Sequence, residues 1–180
     1  MLRRSEMNVS SSAAAAGELA ARLLRFKPLG AAWRLEVGGT VLVQGNVWLP
    51  GPGRIRLGRG VRLIARRAPI ELRAHAGAEI VLGDGVVIED GASIEATRRV
   101  TIGARARIGA FSKIIDNNFH RTVGDRAQRP EPVPIAIGED AIVGPRAVLL
   151  PGAELGDGSR LGPSQVLSFR LPAGASLPGP

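Results

Sequence analysis

The chain has 180 residues, a length typical of one domain with a core of its own. Its 24 glycines, 13 prolines and 3 % aromatic residues exclude a core built from large rings, and the absence of cysteine excludes disulfides and thiolate metal sites. A chain without cysteine fits a reducing compartment, so we expect a cytoplasmic protein. The net charge is +8, and all but two of the 24 basic residues are arginines.

The positive charge has two interpretations: an arginine-rich solvated surface, or an anionic partner such as a phosphate-bearing cofactor or an acidic membrane face. Nucleic acid is disfavoured, because the arginines are dispersed and no aromatic stacking platform accompanies them. No run of 18 apolar residues predicts a membrane span.

Residues 1–34 are expected to form a tail and a short helix at about 13–26, with Leu19, Leu23 and Leu24 on one face. Glu18 and Arg22 stand where a secretory signal would be purely apolar, so we do not interpret this segment as a signal peptide.

A repeat of six residues dominates the rest of the chain. The clearest run of aliphatic residues is Ile137, Val143, Leu149, Leu155, Leu161 and Leu167. The same spacing holds, with breaks of eight or nine residues, in the earlier groups Leu35, Val41 and Val47; Ile55 and Val61; Ile70, Ala76, Leu82, Ile88 and Ile94; and Ile102, Ile108 and Ile114.

A period of six fits neither a helix of 3.6 residues per turn nor hairpin strands of period two. It predicts short strands joined by tight corners, with three hexads in each coil and glycine or another small residue at the corners. Stacked coils would pair as parallel strands about 4.8 Å apart. The fold class is therefore an all-β parallel β-helix of about six coils.

The repeat is interrupted by residues 116–134, which we expect to leave and re-enter the β-helix at one corner as a long loop stiffened by prolines. A long loop without secondary structure in a compact domain is usually functional, although a neutral surface excursion is the alternative. Asp116, Asn118 and His120 lie where the chain would leave the rigid coil.

These features resemble the hexapeptide-repeat acyltransferases, whose fold is a left-handed parallel β-helix. The most specific segments are IGARARIGAFSKIIDNNFH and PIAIGEDAIVGPRAVLLPGAELGDGSRLGPSQVL. The resemblance covers about residues 35–172, which leaves 173–180 as a C-terminal tail.

The resemblance implies acetyl transfer from acetyl-CoA, with His120 of DNNFH as the general base. It leaves three roles open for Asp116 and Asn118: orienting His120, binding sugar hydroxyls, or forming a turn. Counting hexads places Glu95 one coil below Ile115, where its carboxylate would either contact the acceptor, tune the imidazole, or remain a solvated edge charge.

In the family, coenzyme A contacts backbone groups at the corners of the β-helix and a basic residue near its C-terminal end. The resemblance implies equivalent contacts in this chain. The positions implied here are Gly144, Gly162, Ser168 and Arg170, with Arg146 as the alternative phosphate ligand. This sequence departs from the family pattern in three places. Pro145 and Pro163 lack the backbone N–H of other residues, and Ile142 stands where a large aromatic is usual. The triplet Ser168-Phe169-Arg170 replaces the usual Thr-Lys/Arg-Asp.

The function expected from this resemblance is O-acetylation of a sugar or polysaccharide precursor. The alternatives are N-acetylation of an amino sugar and a non-catalytic β-helix scaffold. The family also implies a homotrimer with active sites between subunits. Two histidines are too few for a three-histidine zinc site, so no metal is expected, and His75 is interpreted as a surface residue.

Overall fold

The structure is a computed structural model that describes residues 34–119, 124–125, 127 and 130–179. The predicted helix at 13–26 and the predicted base, His120, lie outside the described residues. Every regular element within them is a β-strand, as the six-residue period predicts.

Eighteen strands follow one another in chain order. They are β1 (Leu35–Val37), β2 (Val41–Trp48), β3 (Arg54–Leu57), β4 (Val61–Ala74), β5 (Glu79–Leu82), β6 (Val87–Ile88), β7 (Ser93–Ala96), β8 (Arg99–Ile102), β9 (Arg107–Ile108), β10 (Lys113–Ile115), β11 (Ile135–Ile137), β12 (Ile142–Val143), β13 (Val148–Leu149), β14 (Glu154–Leu155), β15 (Arg160–Leu161), β16 (Val166–Leu167), β17 (Arg170–Leu171) and β18 (Ser176–Leu177).

All pairings between these strands are parallel, and they define three faces. The first face is the seven-stranded sheet β1-β3-β5-β8-β11-β14-β17. The second face joins the first halves of β2 and β4 to β6, β9, β12, β15 and β18. The third face joins their second halves to β7, β10, β13 and β16. The chain thus forms a parallel β-solenoid of seven coils, the architecture of a left-handed β-helix.

The repeat aliphatics fill the interior of these coils. The two-residue strands from β6 to β15 pair their last residue with the equivalent aliphatic of the next coil, as in Val143 with Leu161 and Leu149 with Leu167. The side chains buried most completely include Leu63, Ile70, Leu72, Ile80, Leu82, Ile88, Ile94, Ile102, Ile108 and Ile114. The core is therefore a stack of branched aliphatics that needs no aromatic ring, as the composition predicts.

The predicted register is wrong at one position and incomplete at the C-terminus. Ala76 is exposed in a corner, because β4 continues beyond Ile70 and directs Leu72 and Ala74 inward instead. Beyond Leu167 the next interior residue is Leu171, which pairs with Leu155. β18 then pairs with β15, so the β-helix continues past residue 172, where we expected it to end.

Corner glycines are required by the distance between stacked coils. A Cβ added to Gly103 would lie 2.5 Å from the backbone nitrogen of Glu139, and one added to Gly144 would lie 2.6 Å from the carbonyl carbon of Gly162. Gly38 lies in the first coil at the corner equivalent to that of Gly103, but there an added Cβ would lie 3.5 Å from the nearest atom. The corner is therefore closed to a side chain at Gly103 and Gly144 and open at Gly38.

Aspartates at the corners accept hydrogen bonds from the corner one coil below. Asp84 accepts from the backbone N–H of Arg59 at 2.8 Å, and Asp90 accepts from that of Arg67 at 2.6 Å. These bonds hold the pKa of both carboxyls below their usual range. The pKa of Asp140 is likewise lowered, by its side-chain hydrogen bonds to Arg105.

We predict that Gly103→Ala destabilises the β-helix by about 1–3 kcal/mol, because the methyl group forces the backbones of two coils apart. Gly38→Ala is the matched control: it adds the same methyl to an open corner, and the reduced freedom of the unfolded chain makes it neutral or stabilising by up to about 1 kcal/mol. Urea unfolding of both variants measures the difference. Equal loss of stability in the two would contradict the role of coil spacing.

We predict that stability falls as the pH drops below about 4, since the pKa values of Asp84, Asp90 and Asp140 are lower in the folded than in the unfolded chain. The stability that these three carboxylates contribute to the folded chain is complete above their unfolded-state pKa. It is lost as the pH falls through their folded-state pKa values. The triple Asp→Asn variant should be less stable at pH 7 and less sensitive to acid. Thermal unfolding between pH 2 and 7 tests this, with the exposed Glu154→Gln as control.

Candidate functional site

The long loop leaves and re-enters the β-helix at a single corner, between the third and the first face. We call this the loop corner; in the described part of the chain it comprises residues 75–77, 97–98, 116–119, 130–134, 150–153 and 168–169 of successive coils. Asp116 comes directly after β10, and its carbonyl accepts a hydrogen bond of 2.9 Å from the N–H of Val133. The Val133 carbonyl in turn accepts from Gly152 of the next coil at 3.1 Å. The base of the loop is therefore closed by backbone hydrogen bonds.

Asp116 fixes this base to the coil below. Its carboxylate is fully buried and accepts three backbone hydrogen bonds, each of 2.7 Å, from Thr97, Arg98 and Arg99. This is the corner arrangement seen at Asp84 and Asp90. Of the roles left open for Asp116, the geometry therefore favours the turn-forming one.

The next residues direct the chain outward. Asn117 is buried, and its side-chain oxygen accepts a hydrogen bond from the N–H of Phe119. Phe119 has a φ of +57°, and both Phe119 and Asn118 are exposed. The described chain thus reaches solvent immediately before His120, whose side chain lies outside the described residues.

Glu95 lies beneath the loop, as the hexad count predicts: it pairs with Ile115 above and with Arg73 below. Its carboxylate shares a hydrogen bond of 2.8 Å with Nε2 of His75, and Arg73 Nε lies 3.7 Å away. The His75 ring faces the Phe119 ring, with 5.8 Å between the centroids. His75 is therefore part of the loop corner and not an isolated surface residue.

Sequence reasoning missed this placement of His75, because it assigned Ala76 to the interior and shifted the local register. The signal that could have found it is the pairing of Arg73, Glu95 and Ile115 in three successive coils. That alignment places the end of β4, and His75 after it, directly below the root of the loop.

The residues expected to bind coenzyme A lie at two separate edges of the third face. Gly144, Arg146 and Gly162 form the corner between the second and third faces. Ser168 lies at the loop corner, two coils above the loop, and Arg170 begins β17 on the first face, where it lies 3.5 Å from Glu154. The described chain does not bring the two groups together.

The structure gives the two unexpected prolines a local explanation. At their corner, the hydrogen bond to the coil below is donated by the residue after each proline: Arg146 donates to Ala110 at 2.8 Å, and Ser164 donates to Pro145 at 2.9 Å. Pro145 and Pro163 occupy the preceding position, so the corner keeps its inter-coil hydrogen bond without their N–H.

Among the described residues, no group of three or more His, Asp or Glu side chains could hold a metal ion. The same part of the chain contains no helix long and apolar enough to cross a membrane.

Comparison with known proteins agrees with the repeat. Residues 134–162 match the model of a hexapeptide repeat of succinyl-transferase. The matched residues run from β11 to β15 of the seven-coil β-solenoid, so the match agrees with the six-residue repeat of the sequence. A search of curated proteins found no significant match.

Among solved structures, the chain is similar to the polySia specific acetyltransferase NeuO. The sequences are 18 % identical, the alignment covers 82 % of this chain and 83 % of the other, and the TM-score is 0.40.

We predict that Asp116→Ala destabilises the protein by about 2–4 kcal/mol, because three backbone donors at the loop corner lose their acceptor. The matched control is Asp125→Ala, which removes the exposed hydrogen bond that the Asp125 carboxylate accepts from the N–H of Ala127 and should cost less than about 0.5 kcal/mol. Chemical denaturation compares the two. A mild effect of Asp116→Ala would contradict its structural role and favour direct contact with a substrate.

Proposed function

We propose that the protein is an acetyl-CoA-dependent O-acetyltransferase that acts on a hydroxyl of a sugar or polysaccharide precursor. The observation that carries this proposal is the loop root, where Asp116 and Val133 anchor the DNNFH segment to a rigid coil. Because this root is fixed, the chain leaves the coil toward His120 from a defined point, which is what the positioning of a catalytic group requires.

In the proposed reaction, His120 is the general base. Its neutral imidazole takes the proton from the acceptor hydroxyl as the oxygen attacks the thioester carbonyl carbon of acetyl-CoA. The carbon–sulfur bond then breaks, the acetyl group remains on the acceptor oxygen, and the imidazolium returns its proton to the thiolate. A backbone N–H at a nearby corner would stabilise the oxyanion. The chemistry needs neither a metal nor an acyl-enzyme.

We further propose that the protein is a homotrimer with coenzyme A between subunits. The separation of the expected ligands supports this, because Gly144 and Arg146 lie at one edge of the third face and Ser168 at the other. In a closed threefold assembly, one edge of a subunit meets the other edge of its neighbour, so both groups would line the same cleft. Arg146 is exposed and, among the described residues, makes no ion pair, which suits a phosphate ligand.

We predict that His120→Ala lowers kcat by about 10²–10⁴-fold with little change in the KM for acetyl-CoA, since only the proton transfer is removed. Thiol release from acetyl-CoA, measured over a panel of hexoses, N-acetylhexosamines and amino sugars, tests this. Asp125→Ala, in the same loop, is the control and should retain full activity.

The panel also separates the alternatives. Turnover confined to amino sugars would replace O-acetylation by N-acetylation. Equal rates for wild type and His120→Ala would remove His120 from the mechanism. Absence of both turnover and coenzyme A binding would favour the non-catalytic scaffold, and a monomer in light scattering would overturn the proposed trimer.

A further inference from the structure

The loop corner contains the imidazole of His75, which has a defined environment. His75 comes directly after β4, and its backbone is fixed on both sides: its N–H donates to Ala96 and its carbonyl accepts from Ala78, both at 2.9 Å. Its side chain is 36 % exposed, whereas that of Glu95 is only 17 % exposed. The imidazole thus stands on a rigid coil, with one edge turned to a largely buried carboxylate.

Glu95 determines which nitrogen of this imidazole is available. A carboxylate only accepts hydrogen bonds, so the contact of 2.8 Å makes Nε2 of His75 the protonated nitrogen. In the neutral ring, Nδ1 then carries a lone pair, and no described side chain or backbone group donates to it. Nδ1 is therefore a hydrogen-bond acceptor on a partly exposed ring.

The surroundings of His75 disfavour an anionic ligand and favour one that is partly apolar. Phe119 is 37 % exposed and packs at an angle of 57° against the imidazole, which offers an aromatic face beside the Nδ1 acceptor. The nearby cation is already paired, because Arg73 lies 2.7 Å from Glu71 and 3.7 Å from Glu95. With the imidazole neutral, Glu71, Glu95 and Arg73 together carry one net negative charge, so a phosphate group would find no unpaired cation among these residues.

A hydroxyl group on a sugar ring meets these requirements. The hydroxyl donates a hydrogen bond, and the C–H face of the ring packs on an aromatic side chain. The position is also suitable, because Phe119 directly precedes the proposed base His120 in the sequence.

We propose that His75 is a specificity-determining residue that accepts a hydrogen bond through Nδ1 from a hydroxyl of a polyhydroxylated acceptor without an anionic group, with Phe119 covering an apolar face of that acceptor. This inference rests on the proposed acyl transfer and deepens it, since it assigns the acceptor end of the site. Glu95 acts through His75 by fixing its tautomer, and is a positioning residue.

The kinetic test compares His75→Phe with His75→Gln, using the best sugar of the panel. Phenylalanine keeps a ring against Phe119 but has no acceptor atom, so the KM for the sugar should rise about tenfold or more, with kcat and the KM for acetyl-CoA changed less than about threefold. Glutamine offers a side-chain oxygen and should restore most of the affinity. A fall in kcat without a change in the sugar KM would overturn the assignment, as would unchanged kinetics in His75→Phe.

A binding test separates this inference from the proposed function. The chain has only two histidines, so ¹⁵N NMR of histidine-labelled His120→Ala protein reports the His75 ring alone. At pH 8, where an ordinary imidazole is neutral, adding the sugar should move the Nδ1 signal upfield as it accepts a hydrogen bond. That shift would support the inference even if no turnover were found, whereas active wild type without a shift would overturn this inference alone. Neither shift nor turnover would overturn both.

Discussion

The structure depends on the backbone hydrogen bonds between successive coils. Every face is a parallel ladder, and the corners continue it: Arg105 donates to Asp84, and Asp140 donates to Ala104, from one corner to the next. Such bonds fix the distance between coils, so the corners have room for glycine but not for a larger residue where a Cβ would meet backbone. The composition, rich in glycine and aliphatics and poor in aromatics, is a consequence of this single constraint.

The same constraint changes the interpretation of the loop motif. An aspartate at a corner can satisfy backbone donors of the coil below, and Asp84, Asp90 and Asp116 do this at the three different corners. The aspartate that begins DNNFH therefore has a sufficient structural reason to be there. The loop corner differs from the other two in the path of the chain after its aspartate, because the chain turns outward at Phe119 and returns at Val133.

Periodicity predicted the fold because each hexad satisfies the same packing requirement, and it placed Glu95 below Ile115 correctly. It failed at Ala76, since β4 passes over a corner as one long strand and a count of six loses register there. The contact of His75 with Phe119 depends on that register and on the path of the loop, neither of which a local pattern contains. The expected coenzyme A ligands are a similar case, because sequence spacing does not reveal which edge of a face a corner belongs to.

In this β-helix, the stability of the coils and the choice of ligand at the loop corner depend on different residues. Its coils are held by repeated backbone bonds, so the stability of one corner depends little on the side chains that point outward from it. His75, Arg73 and Phe119 can therefore vary without loss of the core, whereas Asp116 cannot, because its carboxylate belongs to the ladder. A loop corner built in this way can change the ligand it accepts while the root that positions the loop stays fixed.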